Sequence, residues 1–163
     1  MKSFWLADSA HTDRLGEMLA RSRPPLAVVH LKGDLGAGKS TLARALLRAL
    51  GVRGSIRSPT YTLVERYPLA DGREAWHLDL YRIGDPGELE FLGLDPDEAA
   101  LWLIEWPERG AGSLPPADLV VEMAVEGGGR RVVLSPASSV GTAWLEQLAR
   151  ENAGLEAAFA ADS

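Results

Sequence analysis

The feature that most constrains this chain is the glycine-rich segment Gly33-Asp34-Leu35-Gly36-Ala37-Gly38-Lys39-Ser40-Thr41. It fits the pattern G-x-x-x-x-G-K-[ST], in which the glycines allow backbone N–H groups to turn inward around phosphate oxygens. An apolar, β-branched run at residues 26–31 precedes the segment, and residues 41–50 follow it with apolar side chains at helical spacing. A strand, a glycine-rich loop and a helix are the context that this motif requires. The segment therefore predicts a nucleotide-phosphate site.

Two side chains of the motif carry further chemistry. Lys39 adds a full positive charge to the partial positive charge of the helix N-terminus. Ser40 offers a hydroxyl as a ligand to a magnesium ion that is bound to the phosphates. Nothing in the chain resembles the guanine-reading N-K-x-D motif, so the pattern favours ATP, with Mg²⁺ as its metal.

Composition limits the class of protein. The chain has 163 residues, 46% of them hydrophobic, which suits one domain with a real core. It lacks cysteine, an apolar run long enough to cross a membrane, and a secretory signal, so we expect a cytoplasmic protein without membrane association. The net charge is −6 and Arg130-Arg131 is the only basic pair, which disfavours tight, direct contact with nucleic acid.

A polar face is predicted on the strand at residues 74–81, which follows a hairpin turn at Asp71-Gly72. Its alternation places His77 and Asp79 on one face and Trp76 and Leu78 on the other. Two interpretations stay open. The strand is either half-buried and antiparallel with a solvated polar face, or its His and Asp together meet a ligand.

A second carboxylate, Glu105, ends the nearly continuous apolar run at residues 101–105. Such runs are typical of central parallel strands covered on both faces, and ligands bind outside the carboxyl ends of these strands. Glu105 is therefore predicted to hold magnesium, with an ordinary strand-end acid as the alternative. Trp106 either stacks on a neighbouring group or fills core. Ser58 to Thr60 is either a polar turn or a mobile segment whose hydroxyls meet the terminal phosphate.

The whole pattern predicts an α/β fold whose central parallel sheet is extended by antiparallel strands. These strands come from the hairpin at Asp71-Gly72 and from a second hairpin around Gly127 to Gly129. We expect a single domain over residues 1–150. Residues 151–163, alanine-rich and acidic, are predicted to be a frayed helix or a disordered tail.

Four separated motifs, in order, resemble those of the bacterial TsaE (YjeE) family of small ATPases. They are the loop at 33–41, Ser-Pro-Thr-Tyr-Thr-Leu-Val at 58–64, His-Leu-Asp-Leu-Tyr-Arg at 77–82 and Ile-Glu-Trp-Pro at 104–107. A smaller match, Glu-Leu-Glu-Phe-Leu-Gly, lies at 88–93. The resemblance extends from about residue 4 to 150 and implies a three-layer, P-loop NTPase-like domain.

The resemblance also implies a biological role. Members of this family help to form the threonylcarbamoyl group on the adenosine next to the tRNA anticodon. They act with the proteins TsaB and TsaD, and their ATP hydrolysis is needed for repeated turnover. Contact with tRNA is then expected to be indirect.

Carried over by motif position, the resemblance implies the following site. Lys39 binds the β- and γ-phosphates, Ser40 and Glu105 hold magnesium, Asp79 positions or activates the attacking water, and Thr60 senses the γ-phosphate. Relatives often carry Thr where this chain has Ser40, and both side chains offer a hydroxyl. The residues expected to contact the nucleotide are Ser9, Asp34, Leu35, Gly36, Ala37, Gly38, Lys39, Ser40, Thr41, Trp106 and Arg130.

Two other functions remain compatible with the motifs. One is a small-molecule P-loop kinase, although no lid segment is evident; the other is a nucleotide-dependent binding switch whose hydrolysis is incidental. Because no arginine finger is obvious, an ATPase of this kind is expected to be slow alone and to be stimulated by its partners.

Overall fold

The computed structural model describes residues 1–59 and 62–161. Within these residues it contains seven strands and three α-helices. In chain order they are β1 (Lys2–Leu6), α1 (Ser9–Ser22), β2 (Ala27–Lys32), α2 (Lys39–Ala49), β3 (Val64–Pro68), β4 (Glu74–Asp79), β5 (Ala99–Glu105), β6 (Leu119–Glu126), β7 (Gly129–Pro136) and α3 (Ser139–Ala161). Short 3-10 helices occupy Pro86–Leu92, Pro96–Glu98 and Pro107–Gly110.

The seven strands form one mixed sheet in the order β1-β7-β6-β2-β5-β4-β3. The four central strands, β6, β2, β5 and β4, run parallel to one another. Both edges are antiparallel, because β3 returns as β4 and β6 returns as β7, on which β1 then pairs. The predicted α/β fold, a parallel centre extended by antiparallel hairpins, is confirmed.

Each face of the sheet is covered by a different kind of layer. The three α-helices pack on one face, where Leu15, Leu46 and Trp144 join the strand side chains in one buried cluster. The other face of β4 and β5 is covered by the 3-10 segments, through residues such as Leu89. The sheet thus lies between a layer of long helices and a thinner layer of short ones.

Strand β4 lies inside the sheet, between the antiparallel β3 and the parallel β5. Its His77 and its Trp76, which point to opposite faces, are both fully buried. The interpretation of a half-buried strand with a solvated polar face is therefore wrong. The face that carries Trp76 is covered by apolar residues of the 3-10 segments, although these segments also contain several acidic residues.

Helix α3 closes the helical layer against α1. The indole Nε1 of Trp144 donates to the Leu19 carbonyl (3.2 Å) and to Ser22 Oγ (3.1 Å). The helix departs from helical geometry at Asn152 (φ −131°) and then continues to Ala161. The division into a domain at 1–150 and a tail at 151–163 stays a prediction. Across the described ranges, every helix is too short or too polar to span a bilayer.

Candidate functional site

The candidate site lies at the edge of the sheet where the parallel strands end. Residues 33–38 join the end of β2 to the start of α2, while β4 ends at Asp79 and β5 at Glu105. Asp79 and Glu105 lie opposite each other in the β4–β5 register. Since carboxyl ends of parallel strands share one edge, the fold brings the loop and both carboxylates together.

The loop conformation depends on Gly38, the residue before α2. Its φ is +104°, in the region that side chains other than hydrogen disfavour. A Cβ at this position would lie 3.1 Å from Met123 Cε. No side chain caps the first turn of α2, so its N-terminal N–H groups remain available to an anion.

Two neighbouring cavities open at this loop. The first, of about 330 Å³, is lined by Leu35, Gly36, Gly38, Lys39, Ser40, Thr41, Asp79, Glu105, Trp106 and Arg130. The second, of about 240 Å³, shares Gly38, Thr41 and Arg130 with the first and is also lined by Ser9. The first cavity is rich in charge, and the second extends away from it along the start of α1.

Lys39 is one of two cations that line the first cavity, Arg130 being the other, and it is only 4% exposed. Its Nζ donates to the Gly33 carbonyl and lies 3.9 Å from the centroid of the Trp106 ring. Burial lowers the pKa of Lys39, and the nearby carboxylates of Glu105 and Asp79 oppose this shift because they favour the ammonium form. A lysine that is shielded from water in this way interacts strongly with an entering phosphate.

Ser40 and Glu105 form the candidate metal-binding pair. Ser40 Oγ donates to Glu105, at 2.8 Å from Oε2 and 3.0 Å from Oε1. A hydroxyl and a carboxylate are hard oxygen ligands, as Mg²⁺ prefers. No cluster of three or more His, Asp or Glu suited to a metal occurs among the described residues. The pair therefore fits a Mg²⁺ that takes its remaining ligands from phosphates and water rather than from a protein cage.

Asp79 is held rigidly beside that pair. It is 7% exposed, and its Oδ1 accepts a hydrogen bond from the Tyr81 N–H (3.1 Å). Its own N–H donates to the Leu63 carbonyl (3.0 Å), which ties it to the start of β3. A side chain whose own backbone and one carboxylate oxygen are both hydrogen-bonded is well suited to orienting a small polar molecule in the cavity.

An aromatic group forms the wall next to Lys39. Trp106 has a left-handed backbone (φ +57°) and its ring centroid lies 5.0 Å from that of Tyr81. Arg109 stacks over both rings, and its Nη1 donates to the Tyr81 carbonyl (2.7 Å). Trp106 therefore does stack on neighbouring groups, Lys39 among them, and it also packs against the buried residues between the sheet and the 3-10 segments.

Most of the site residues expected from the sequence line one of the two cavities. The exceptions within the loop are Asp34, whose side chain is exposed, and Ala37, which is 1% exposed and belongs to the core. Neither lines either cavity; the Ala37 N–H donates to the Asp34 carbonyl (3.1 Å) and closes the turn of the loop. Thr60 lies outside the described residues.

Several residues of the second cavity carry no sequence signal. Pairing of β1 with β7 places Leu6 opposite Arg130, and the turn before β7 adds Gly128. Contacts of this kind join segments more than a hundred residues apart, so no local motif reveals them. His77 is different: the sequence identifies it as a candidate, but only the fold shows that its partner is Glu105.

The chain is similar in sequence to proteins of one known family. A family model described as "Threonylcarbamoyl adenosine biosynthesis protein TsaE" matches residues 6–133. A Haemophilus influenzae protein named tRNA threonylcarbamoyladenosine biosynthesis protein TsaE is 43% identical over 131 residues, which cover 78% of this chain and 82% of that protein. A protein of the same name from Aquifex aeolicus is 35% identical over 127 residues, 77% of this chain and 88% of its own.

A solved structure has the same fold. The crystal structure of Bacillus subtilis YdiB superposes with a TM-score of 0.74 and covers 92% of this chain and 95% of its own, at 23% sequence identity. At that identity the likeness concerns the fold alone.

Proposed function

Since the chain belongs to the TsaE family of threonylcarbamoyl adenosine biosynthesis proteins, we propose that it is the ATP-binding and ATP-hydrolysing component of that pathway. The reaction served is formation of the threonylcarbamoyl group on the adenosine next to the tRNA anticodon. We propose TsaB and TsaD as its protein partners, with indirect contact to tRNA. A tRNA-modification role implies a cytoplasmic location.

One observation carries the proposal of ATP hydrolysis. A lysine, a serine hydroxyl and two carboxylates (Lys39, Ser40, Asp79 and Glu105) line a single cavity at the uncapped N-terminus of α2. Phosphoryl transfer to water needs positioning and charge neutralisation more than covalent chemistry. These groups supply both, and nothing in the set requires a second substrate.

ATP would occupy both cavities, with its phosphates in the first and its nucleoside at the second. In the first, backbone N–H groups of the loop and Lys39 Nζ would bind the phosphate oxygens, the lysine exchanging its contact with the Gly33 carbonyl for them. Ser40 and Glu105 would hold Mg²⁺, which when bound neutralises charge on the phosphates. Ser9 and Arg130, at the second cavity, would then lie beside the nucleoside.

Hydrolysis would depend on Asp79. Its carboxylate would accept a hydrogen bond from a water and orient the water's oxygen toward the γ-phosphorus. The new O–P bond forms as the bond to the β–γ bridging oxygen breaks, ADP carries away the electron pair, and the water's proton passes to solvent or to the released phosphate. Thr60 is proposed to sense the γ-phosphate.

The isolated protein is expected to turn over slowly. Of the arginines near the site, Arg109 already donates to the Tyr81 carbonyl, and Arg130 already donates to the Gly129 carbonyl. Charge that develops in the transition state is therefore stabilised less well until a partner completes the site.

The test measures ADP release by the wild type and by Asp79→Asn, each alone and with TsaB and TsaD. We expect a low basal rate, stimulation by the partners, and loss of turnover in Asp79→Asn with nucleotide binding retained. Equal rates with and without the partners would contradict the proposed stimulation. Phosphate transfer to an added small molecule would instead identify a kinase. Full tRNA modification by Asp79→Asn would identify a binding switch.

A further inference from the structure

The buried histidine of β4 contacts the candidate metal ligand directly. His77 is completely buried, Glu105 is 3% exposed, and the His77 Nε2–Glu105 Oε2 distance is 2.6 Å. The β4–β5 register places His77 opposite Leu103 and Asp79 opposite Glu105, so the imidazole reaches diagonally across the sheet to the carboxylate. A carboxylate that is ionised only accepts hydrogen bonds, so Nε2 carries the proton of this contact.

The second ring nitrogen of His77, Nδ1, lies in the protein interior. Among the side-chain atoms that the structure describes, His77 Nδ1 is buried without a hydrogen bond. Burying a polar ring is unfavourable unless its hydrogen bonds offset the loss of water, and here the contact with Glu105 does so. Leu103, which lies opposite His77 in the register of β4 and β5, is apolar and buried, so packing alone would be served at least as well by an apolar side chain at position 77.

We propose that His77 is a positioning residue for the metal ligand Glu105. Its Nε2–H fixes Oε2 from the β4 side, while Ser40 Oγ approaches the same carboxylate from α2. The carboxylate is thereby held in the orientation in which Ser40 and Glu105 can take up Mg²⁺ together. Partners that orient a metal ligand in this way typically change metal affinity or activity by about 10- to 100-fold when they are removed.

This inference rests on the proposed binding of Mg²⁺ and ATP, and its test separates the two. The affinity for a non-hydrolysable ATP analogue is measured by calorimetry with and without Mg²⁺. The ratio of the two affinities is the Mg²⁺-dependent gain. His77→Leu removes the donor at similar volume, and His77→Gln restores an amide N–H at a similar reach. Leu101→Val is the matched control, because Leu101 is fully buried on the same face of the sheet but four residues before Glu105.

We expect His77→Leu to keep the metal-free affinity and to reduce the Mg²⁺-dependent gain by about tenfold or more. His77→Gln should recover part of that gain, and Leu101→Val should keep all of it at a comparable loss of stability. Should His77→Leu not fold, His77→Asn is the second variant, since its shorter amide does not reach Glu105.

Three results would overturn the inference. A full Mg²⁺-dependent gain in His77→Leu or His77→Asn would show that Glu105 needs no such support. An equal loss in Leu101→Val would show that general destabilisation explains the effect. A wild-type protein without any Mg²⁺-dependent gain would remove the proposed metal function as well, whereas the first two results leave that function intact.

Discussion

Replacing Gly38 by alanine should weaken nucleotide binding by more than its effect on stability explains. Gly38 has a φ of +104° immediately before α2, and the new methyl group would lie 3.1 Å from Met123 Cε. The thioether end of Met123 is flexible and can move away at little cost. Backbone strain is therefore the main consequence of the substitution.

The size of the effect follows from that strain. A non-glycine residue in such a sparsely populated backbone region costs about 1–3 kcal/mol. The free protein can relax by rotating the peptide units around residue 38, but this rotation turns the first N–H groups of α2 out of the geometry that a phosphate needs. Binding would restore the strained geometry, so the affinity loss can reach the full 1–3 kcal/mol, or about 5- to 150-fold.

Gly51 provides the matched control. It has a φ of +95° just after α2, and no atom lies within 4 Å of a Cβ built there. Gly51→Ala should therefore cost a similar 1–3 kcal/mol of stability, or about 2–4 °C of Tm per kcal/mol in a chain of this length, without changing nucleotide affinity. Thermal unfolding and calorimetric titration of both variants with an ATP analogue make the comparison. Unchanged affinity in Gly38→Ala, or an equal affinity loss in Gly51→Ala, would refute the reasoning.

Three further predictions concern the stability of the fold and the candidate metal-binding pair. Trp144→Phe removes the indole donor shared by the Leu19 carbonyl and Ser22 Oγ and leaves a small cavity. The free energy of unfolding, measured in urea, should therefore fall by about 2–4 kcal/mol. A decrease below about 0.5 kcal/mol would contradict the packing of α3 against α1 described above. Burial lowers the pKa of His30 below its ordinary 6.5, and the hydrogen bond to the Pro115 carbonyl opposes this shift. The folded state therefore binds this proton less readily than the unfolded state, so the protein loses stability as the pH falls below 6.5. The variant His30→Gln should lose less stability over the same pH range. Ser40→Thr should keep the Mg²⁺-dependent gain in affinity for the ATP analogue and Ser40→Ala should lose it, because only Ser40→Thr retains a hydroxyl beside Glu105. Equal gains in both variants would exclude Ser40 as a ligand of Mg²⁺.

Local chemistry explains why much of the fold could be predicted from the sequence. The glycine-rich loop is specified by consecutive residues, because its conformation and its lysine belong to one short segment. The apolar run of β5 and the Asp71-Gly72 turn are likewise local signals, and both predictions are confirmed by the parallel centre and by the β3–β4 hairpin. Strand ends are less well specified. The strand predicted over 74–81 ends at Asp79, because its partner β5 ends at Glu105 and the chain then turns, with the Ile83 N–H donating to the Leu80 carbonyl.

The surroundings of the site depend on contacts that no local pattern encodes. Whether the polar face of β4 meets solvent or protein is decided by the α-helices that pack on that face of the sheet. The same holds for the second cavity, where β1 and β7 bring Leu6 to Arg130.

By itself, then, the sequence determined a glycine-rich loop between a strand and a helix, a parallel-centred α/β sheet, and two carboxylates at strand ends. It did so because strand period, helix period and loop chemistry are properties of neighbouring residues. Only the tertiary structure decided that Glu105 meets both Ser40 and His77, residues 65 and 28 positions away. Strand order, register and helix packing set those distances, and each depends on side chains throughout the chain.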